Sequence, residues 1–400
     1  MGLGYIGLPT ASLLGTKGYK VHGVDVSKDV VDTINQGNIH IVEPDLDVMV
    51  KSAVNSGNLK AGLEPIESDV FIIAVPTPFK QSTAKDHISG KQPDLSYIAQ
   101  AVTKISPYIK AGNLVILEST SPVGTTEEIV AQILKDKGHK VGEDIYIAHC
   151  PERVLPGRIL IELVENDRVV GGINEASTQK AVEFYEEFVR GDVTGTTAKT
   201  AEMVKLTENA SRDVQIAFAN ELSMICEAEN INTWEVIDTA NRHPRVNILQ
   251  PGPGVGGHCI AVDPWFIVDR SPKHSKLIRT AREVNDSKPN WVIEKVKSYA
   301  EKFKQPKIAC LGLAFKADVD DLRESPALQI VKRLLDDKVG ELLICEPNLS
   351  GHKDFDLVSV ERSVKESDII LILVEHKQFR RYKALDFGDK LIIDTRGIIK

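Results

Sequence analysis

The most distinctive chemistry in this 400-residue sequence lies where a glycine-rich segment ends in a cysteine. The stretch GPGVGGHC occupies residues 252–259, and IAVD follows at 260–263. Such glycines let the backbone pass close to a ligand, and a helix N-terminus or a nearby cation favours the thiolate form of a cysteine. A thiolate beside a hydride acceptor can capture an aldehyde, and water then cleaves the resulting thioester. Cys259 is therefore the candidate nucleophile.

Thioester cleavage also requires a base and a cation, and polar residues are spaced for both. Lys205 and Asn209 lie four residues apart in a predicted helix, so they share a face, and Arg212 lies close to that face. A solvated polar face is the alternative explanation for this spacing. Thr120 ends a predicted strand and Glu152 follows another, and ligands bind at the carboxyl ends of strands in open α/β sheets. Whether these groups converge stays open on spacing alone.

A second motif predicts the hydride acceptor. Residues 2–7, GLGYIG, match the GxGxxG pattern, whose glycines allow a tight turn and bring the backbone close to a pyrophosphate at a helix N-terminus. Asp25 stands 18 residues after Gly7 in the predicted strand 21–26. A carboxylate there accepts hydrogen bonds from a ribose 2′-hydroxyl and repels a 2′-phosphate, so the pattern favours NAD over NADP. The alternative is that Asp25 is an ordinary turn residue.

One feature departs from the dinucleotide-binding pattern. The motif normally follows a hydrophobic strand, yet only Met1 precedes Gly2. That strand is central in this fold, so its absence leaves unpaired backbone inside the sheet. We expect further residues upstream of Met1 and predict that a longer chain is markedly more stable than this one. Equal thermal midpoints for the two chains would refute this prediction.

Gross composition narrows the class of protein. The net charge of -8 and the pI near 5.8 argue against a general nucleic-acid binder, and no apolar run is long enough to span a bilayer. No signal peptide is visible. Five widely spaced cysteines without a CxxC pair favour reduced thiols in the cytoplasm, and no spacing predicts a metal site. Cysteines other than Cys259 are expected to be buried apolar residues.

The predicted elements place these motifs in an α/β protein. In the first half, short β-branched runs alternate with helical stretches, which implies a parallel sheet covered by helices. The strands predicted there are 21–26, 70–75, 114–118, 145–148 and 169–172.

The middle of the chain is predicted to be helical and the end to return to α/β structure. Helices are predicted over 197–229, with more helix to 240, and over 276–303. Strands are predicted at 307–313, 342–345, 369–374 and 391–394. The expected fold is therefore two Rossmann-like, doubly wound α/β domains joined by a long central helix.

Long stretches of the chain resemble the UDP-glucose/GDP-mannose dehydrogenase family. The likeness extends along essentially the whole chain, and the branch that acts on UDP-N-acetyl-D-mannosamine is the most similar. The stretches that carry it are GLGYIGLPTA at 2–11, HIVEPDLD at 40–47, AVPTPFK at 74–80, LESTSPVGTT at 117–126, CPERVLPG at 150–157, AEMVKLTENASRDVQIAFANE at 201–221, NRHPRVNILQPGPGVGGHCIAVDPWF at 241–266 and LGLAFKADVDDLRESPA at 311–327.

The resemblance implies three domains and a set of catalytic residues. The domains are an NAD-binding domain at 1–190, a helical dimerisation domain with the cysteine loop at 191–300, and a UDP-sugar-binding domain at 301–400. Cys259 matches the family nucleophile, and Lys205 matches the general acid/base that steadies developing oxyanions. The positions that orient the water, support its activation or hold the substrate are Asn209, Asp263, Thr120 and Glu152.

Further positions are implied for cofactor and substrate. Those assigned to NAD are Gly2, Gly4, Tyr5, Ile6, Gly7, Asp25, Thr77, Thr120 and Arg323. Those assigned to the nucleotide sugar are Arg153, Val154, Lys205, Asn209, Arg212, His243, Arg245, Gly256, Phe315, Lys316 and Arg396. Arginines among them can hold phosphate oxygens through two parallel hydrogen bonds. In the family the loop of Arg245 reaches a neighbouring subunit's site, which implies at least a homodimer.

Three positions depart from the family pattern. Pro156 stands where family members often carry a second glutamate, so water handling is expected to rest on fewer carboxylates. Val262 stands where a lysine is frequent, which favours the N-acetylmannosamine branch over UDP-glucose. Arg396 replaces a lysine and keeps the cation.

The activity implied by the resemblance is NAD-dependent four-electron oxidation of UDP-N-acetyl-D-mannosamine at C6. It passes through a Cys259 thiohemiacetal and thioester to UDP-N-acetyl-D-mannosaminuronate, for surface polysaccharide synthesis. UDP-glucose and UDP-N-acetyl-galactosamine stay open as substrates. A two-electron alcohol dehydrogenase would leave Cys259 idle, and a non-catalytic NAD and nucleotide-sugar binding protein would need no thiol. Counting NADH per sugar separates the three classes as two, one or none.

Overall fold

The computed structural model describes residues 1–80, 91–155, 157–257 and 259–399, so Pro156 and His258 lie outside the described residues. The chain divides into two compact units, Met1–Thr207 and Glu208–Lys400. The division into three domains near residues 190 and 300 stays a prediction. None of the described helices combines the length and apolar character that crossing a lipid bilayer requires.

The first unit alternates strands and helices. Its strands are β1 Val21–Val24, β2 Leu59–Gly62, β3 Val70–Ile73, β4 Leu114–Leu117, β5 Tyr146–His149, β6 Arg168–Gly172 and β7 Val193–Thr197. Its helices are α1 Gly7–Thr16, α2 Lys28–Asn35, α3 Leu46–Asn55, α4 Ser96–Ile105, α5 Gln132–Asp136, α6 Ile159–Glu165 and α7 Glu175–Glu186, and α8 Ala198–Ala228 continues beyond it. All five predicted strands are confirmed within a few residues of their bounds. The four residues of β4 are all buried, as expected of a strand covered on both faces.

The expectation of a parallel sheet is confirmed for every pairing of the first unit except one. The five-stranded sheet has the order β3-β4-β5-β6-β7, and β1 pairs with β2 in a separate two-stranded sheet. β6 runs antiparallel to β5, with His149 opposite Gly171. An antiparallel neighbour begins where the previous strand ends, so the connection 150–167 stays at one end of the sheet instead of crossing it. Continuing the register by three residues sets Arg168 opposite Glu152.

Met1 and Gly2 lie between the two sheets of the first unit. The Met1 nitrogen donates to the carbonyl oxygen of Ile72 at 2.8 Å, and the Met1 carbonyl accepts from Ala74 N at 2.8 Å. Gly2 N donates to Val24 O, also at 2.8 Å. The two residues therefore hydrogen-bond to the β3 side and the β1 side at once. The stability difference expected between this chain and a longer one stays a prediction.

The second unit combines helices with a four-stranded sheet. Its helices are α9 Thr233–Ala240, α10 Asp263–Arg270, α11 Lys276–Ala300, α12 Pro326–Asp336 and α13 Val360–Glu366. Its strands are β8 Lys307–Leu311, β9 Glu341–Cys345, β10 Ile369–Ile372 and β11 Leu391–Asp394, all parallel in the order β11-β10-β8-β9. The predicted long helices and C-terminal strands are confirmed. Residues of α11, α12 and the sheet share one apolar core, which includes Val292, Ile330 and Leu371.

Two strands of the first unit escaped prediction. β2 reads LKAG and β7 reads VTGTT, so neither carries the β-branched apolar run that marks a buried strand. β7 forms the edge of its sheet, and most of its residues are at least partly exposed. Edge strands bury less apolar surface, so their sequences carry a weaker signal. The helices of this unit were predicted only as helical stretches between the strands, without bounds.

Candidate active site

The glycine turn at the start of the first unit fits a dinucleotide. Gly2 has φ +86°, and a Cβ on it would lie 2.6 Å from the carbonyl oxygen of Ala74. A Cβ on Gly7 would collide with the carbonyl oxygen of Gly2. A Cβ on Gly4 would meet nothing within 4 Å, so the middle glycine faces open space just before α1 begins at Gly7. The first and third glycines serve the turn and its packing, and the second leaves room for a pyrophosphate.

Asp25 and Thr77 border this turn in the first unit. The Asp25 carboxylate follows β1, and its Oδ2 accepts from Leu3 N at 2.9 Å while Oδ1 accepts from Ser27 N at 3.0 Å. Asp25 is partly exposed, and each oxygen keeps a further acceptor position for a ribose hydroxyl. The Thr77 hydroxyl donates to the Thr120 carbonyl oxygen at 2.7 Å, which joins the loops after β3 and β4. The predicted cofactor positions Tyr5 and Ile6 lie on the same turn, where both are at least partly exposed.

Glu152 is paired with a buried arginine that sequence reasoning missed. Arg168 Nη1 donates to Glu152 Oε2 at 2.6 Å, and both side chains are less than a tenth exposed. Arg153 N donates to Glu152 Oε1 at 2.8 Å. The guanidinium therefore holds the Glu152 carboxylate in place. The antiparallel register of β5 and β6 brings the two residues together, and a parallel β6 would have placed Arg168 at the other end of the sheet.

A second carboxyl lies in the same buried cluster. Tyr185 Oη donates to Glu118 Oε1 at 2.7 Å, and Glu118 is 2% exposed. Burial, together with the negative charge of Glu152, raises the pKa of Glu118 to about 7. Burial also raises the pKa of Cys150 to about 12, which leaves that thiol protonated and inert. The available signal for this cluster was a glutamate ending an otherwise apolar predicted strand, and it was not used.

Lys205 lies on α8 and is 9% exposed, which excludes the solvated-face explanation for this residue. Its neighbour His149 is buried, and burial lowers the pKa of His149 to about 3, with the charge of Lys205 acting in the same direction. The imidazole is therefore neutral and does not repel the ammonium. Glu202, one turn earlier on α8, accepts hydrogen bonds from the backbone nitrogens of Gly124 and Thr126. These bonds fix this part of α8 on the loop that follows Thr120.

In the second unit the structure brings Asn209, Cys259 and Asp263 together. Asn209 Nδ2 donates to Asp263 Oδ2 at 2.6 Å, and Asp263 is 2% exposed as the first residue of α10. Asp263 N donates to the Cys259 carbonyl oxygen at 2.8 Å. The cysteine thus lies just before a helix N-terminus, as predicted. Cys259 is exposed whereas the other four cysteines are buried, which confirms the expectation for all five.

The glycine segment before Cys259 packs against residues predicted to bind substrate and cofactor. A Cβ on Gly256 would lie 2.8 Å from Phe315 Cβ, and Gly257 N donates to the Arg323 carbonyl oxygen at 3.2 Å. The Arg323 guanidinium hydrogen-bonds Asp321. Arg323, predicted as a cofactor contact, therefore lies in the second unit beside the cysteine segment, and its role stays a prediction.

The remaining predicted substrate residues occupy surface or half-buried positions. Arg396 Nη2 donates to Glu375 Oε1 at 2.7 Å, and its guanidinium lies against Gly252. Arg153 donates to the Asp167 carbonyl oxygen, and Val154 is half-buried. The exposed residues of this set are Arg212, His243, Arg245 and Lys316. No group of three or more His, Cys, Asp or Glu side chains in the described part of the chain is arranged to hold a metal ion.

Comparison with known proteins identifies the family. Residues 1–189 match the NAD binding domain of the UDP-glucose/GDP-mannose dehydrogenase family, 199–287 its central domain and 309–400 its UDP binding domain. The chain belongs to this family. It is therefore an NAD-dependent nucleotide-sugar dehydrogenase, and its Rossmann-like α/β fold is the fold of the family.

Relatives of this dehydrogenase differ in the sugar that their names give. An NDP-N-acetyl-D-galactosaminuronic acid dehydrogenase of Ralstonia nicotianae is 54% identical, over 100% of this chain and 95% of the relative. A UDP-N-acetyl-D-mannosamine dehydrogenase of Campylobacter jejuni is also 54% identical, over 95% of each chain. The solved structure of the UDP-N-acetyl-mannosamine dehydrogenase Cap5O from S. aureus matches with a TM-score of 0.90 and 43% identity, over 100% of this chain and 94% of Cap5O.

Proposed function

We propose that this dehydrogenase oxidises the C6 hydroxymethyl group of UDP-N-acetyl-D-mannosamine to a carboxylate, with two NAD consumed per sugar. The observation that carries the four-electron assignment is the exposed Cys259, positioned beside the hydrogen-bonded Asn209–Asp263 pair. A dehydrogenase that stops at the aldehyde needs no accessible thiol at this place. The sugar assignment rests on the relatives of Campylobacter jejuni and S. aureus.

Side chains of the protein carry out the proton transfer and the covalent step of the proposed reaction. NAD, when bound, accepts a hydride in each of the two oxidations. Lys205, or a water that it orients, takes the proton of the C6 hydroxyl as the first oxidation proceeds. The Cys259 sulfur then adds to the aldehyde carbon, and the second oxidation converts this adduct to a thioester. Water cleaves the carbon–sulfur bond, which regenerates the thiol and releases the acid. The sum is one alcohol, two NAD and one water giving one carboxylate, two NADH and three protons.

Two carboxylates, Asp263 beside Asn209 and Glu152 beside Arg168, are suited to activate water. Asp263 accepts from Asn209, so the amide orientation is fixed and its oxygen is available to a water. Glu152 is held in place by Arg168 and can accept a hydrogen bond from water at its remaining acceptor positions. Covalent capture at Cys259 retains the reactive aldehyde between the two oxidations.

UDP-N-acetyl-galactosamine is the second candidate substrate. The Ralstonia relative, whose name specifies N-acetyl-galactosaminuronic acid, is as similar to this chain as the Campylobacter one. Both candidate sugars carry an N-acetyl group at C2 and differ in ring stereochemistry. A spectrophotometric screen with NAD and UDP-N-acetyl-mannosamine, UDP-N-acetyl-galactosamine and UDP-glucose ranks them by kcat/KM.

Cysteine substitutions test the four-electron scheme. Cys259→Ser and Cys259→Ala are expected to abolish net acid formation, whereas Cys226→Ala, at a buried cysteine, keeps two NADH per sugar. Release of two NADH per sugar at a near-normal rate by either Cys259 variant would refute the thioester. Lys205→Ala is expected to slow both oxidations, and normal turnover would remove its assigned role.

We further propose a homodimer in a reducing compartment, the cytoplasm, that supplies an acidic sugar for surface polysaccharide synthesis. Phe218 and Ile225, one heptad apart on α8, are 58% and 52% exposed, which suits a helix face buried against a second copy. The four buried cysteines form no disulfide bond, which is in keeping with a reducing compartment. Sedimentation equilibrium tests the dimer, and Phe218→Asp is expected to shift it to monomer. A wild-type monomer would refute the proposal.

A further inference from the structure

A network of buried polar side chains lies between α8 and α11 in the second unit, and no step of the proposed reaction uses it. Asp213 and Asn220 belong to α8 and are 0% exposed. Arg282 and Asn285 belong to α11 and are 1% exposed. Burying four such groups is costly unless every partner is in place, so their arrangement is expected to serve a specific structure.

Every hydrogen bond of this network is donated toward Asp213. Arg282 Nη1 and Asn285 Nδ2 both donate to Asp213 Oδ1, at 2.6 and 2.8 Å. Asn220 Nδ2 then donates to Asn285 Oδ1 at 2.8 Å. Asn220 Oδ1 in turn accepts from the backbone N–H of Gly252 at 2.9 Å. The network therefore ends at Gly252, the first glycine of the segment that leads to Cys259.

The direction of these hydrogen bonds follows from the acceptor at the other end of the network, the Asp213 carboxylate. An ionised carboxylate only accepts hydrogen bonds, so Asp213 forces Asn285 to present its NH₂ group to it and its oxygen to Asn220. Asn220 must then donate to Asn285, which leaves its oxygen for Gly252. Asp213 Oδ1 accepts from the Arg282 guanidinium, which can only donate, so this oxygen presents an acceptor to Asn285 as well.

The glycine segment depends on such external contacts because it has few side chains of its own. Gly254 has φ +146° and Gly257 has φ +82°, conformations that glycine adopts without strain. Two backbone hydrogen bonds hold its ends, from Gly252 N to Asn220 and from Gly257 N to the Arg323 carbonyl oxygen. Cys259 follows two residues after the second of these bonds.

We propose that Asn220 is a positioning residue for the Cys259 thiol, oriented by Arg282, Asp213 and Asn285. The proposal rests on the proposed function for its kinetic consequence, because the thiol acts only after the first oxidation. A displacement of about 1 Å in a reacting group lowers its rate on the order of a hundredfold. Loss of the Asn220 anchor should therefore slow aldehyde capture while the first oxidation continues.

The test compares Asn220→Ala with Ser223→Ala in the full-length protein. Ser223 is on the same helix and accepts a hydrogen bond from Lys288 of α11 at 2.6 Å, but it has no bond to the glycine segment. Asn220→Ala is expected to speed hydrogen exchange in residues 250–257, to change the iodoacetamide alkylation rate of Cys259 at least about fivefold, and to lower NADH per sugar from two toward one. Released aldehyde is trapped with a hydrazine. Ser223→Ala is expected to match the wild type in all of these.

Hydrogen exchange and alkylation are measured without substrate. They therefore test the positioning role of Asn220 separately from the proposed function, which fails if the wild type yields only one NADH per sugar. Wild-type exchange and alkylation in Asn220→Ala would overturn the proposal, as would equal changes in Asn220→Ala and Ser223→Ala. Should Asn220→Ala fail to fold, Asn285→Ala replaces it, because it keeps Asn220 but frees its amide to rotate. A smaller change in the same direction is then expected, and no change would overturn the proposal.

Discussion

Glu118 and Glu346 occupy equivalent places in the two units yet titrate in opposite directions. Each follows directly after a strand whose neighbours run parallel to it, β4 for Glu118 and β9 for Glu346, and they are 2% and 3% exposed. The pKa of Glu118 is raised to about 7, whereas that of Glu346 is lowered. Equal burial therefore does not decide the charge of a carboxyl group.

The number of hydrogen-bond donors explains the difference. Burial opposes ionisation of Glu346, but His376 and the backbone nitrogens of Leu313, Ala314 and Asn348 donate to its two oxygens and outweigh that cost. Glu118 accepts from one side-chain donor, Tyr185, and its Oε2 has no partner within the described part of the chain. The negative charge of Glu152 further opposes its ionisation. A carboxylate with several donors is therefore ionised when buried, whereas one with a single donor beside another carboxylate is still partly protonated at pH 7.

Glu346→Ala should have the largest effect on this comparison. It leaves the buried His376 and three backbone N–H groups without their acceptor, and loss of one member of such a buried network costs about 3 to 5 kcal/mol. Urea denaturation measures this loss in free energy of unfolding. Glu341→Ala, at an exposed position of the same strand, is the control and should change stability by less than about 0.5 kcal/mol. A loss below about 1 kcal/mol in Glu346→Ala would contradict the structural role.

Glu118→Gln should remove a loss of stability that the wild type suffers as the pH rises from about 4.5 to about 7. The unfolded carboxyl ionises near pH 4.5 and the folded one near 7, so the wild type becomes less stable as pH rises between these values. At about 1.4 kcal/mol per pH unit the loss is about 3 kcal/mol. The stability of the variant relative to wild type should therefore improve by that amount between pH 4.5 and 8. Parallel pH profiles for the two proteins would show that Glu118 is ionised throughout.

Glu346→Gln should change the pH dependence of the free energy of unfolding in the opposite direction. A lowered pKa means that the ionised group contributes stability above the ordinary carboxyl pKa and that this contribution disappears as pH falls through the folded value. The variant should lose about 2 kcal/mol at pH 7, where charge-assisted hydrogen bonds are replaced, and much less at acid pH. Unfolding midpoints from pH 3 to 8 measure this. A loss that does not shrink on acidification would count against the assignment.

Tyr185→Phe should have the smallest effect. It removes the hydrogen bond to Glu118 and costs about 1 kcal/mol below pH 7. The same bond lowers the pKa of Glu118, so its removal should move the titration of Glu118 from about 7 to higher pH. Chemical denaturation at a series of pH values detects the displacement. Tyr146→Phe, at a half-buried strand position, serves as the control, and equal behaviour of the two variants would argue against the pairing.

The sequence predicted what lies close together along the chain. The glycine turn with its helix, the thiol before a helix N-terminus and the apolar strands β4 and β10 each have local signatures. Partners distant in sequence had none. Arg168 meets Glu152 because β6 is antiparallel, and strand direction is decided by the route of the connection rather than by strand composition. Asn220 and Asn285 are 65 residues apart and meet only after two helices pack.

The ion pair between Glu152 and Arg168 closes the connection 153–167 at its base, at one end of the sheet. A connection fastened in this way can change length without altering the pairing of any strand, and each doubling of its length costs only about 0.6 kcal/mol in closure entropy. The segment also contains α6, whose Ile159 and Leu163 pack in the core of the first unit. Exchanging the segment between relatives that differ in sugar, with these two core residues kept, offers a route to altered selectivity.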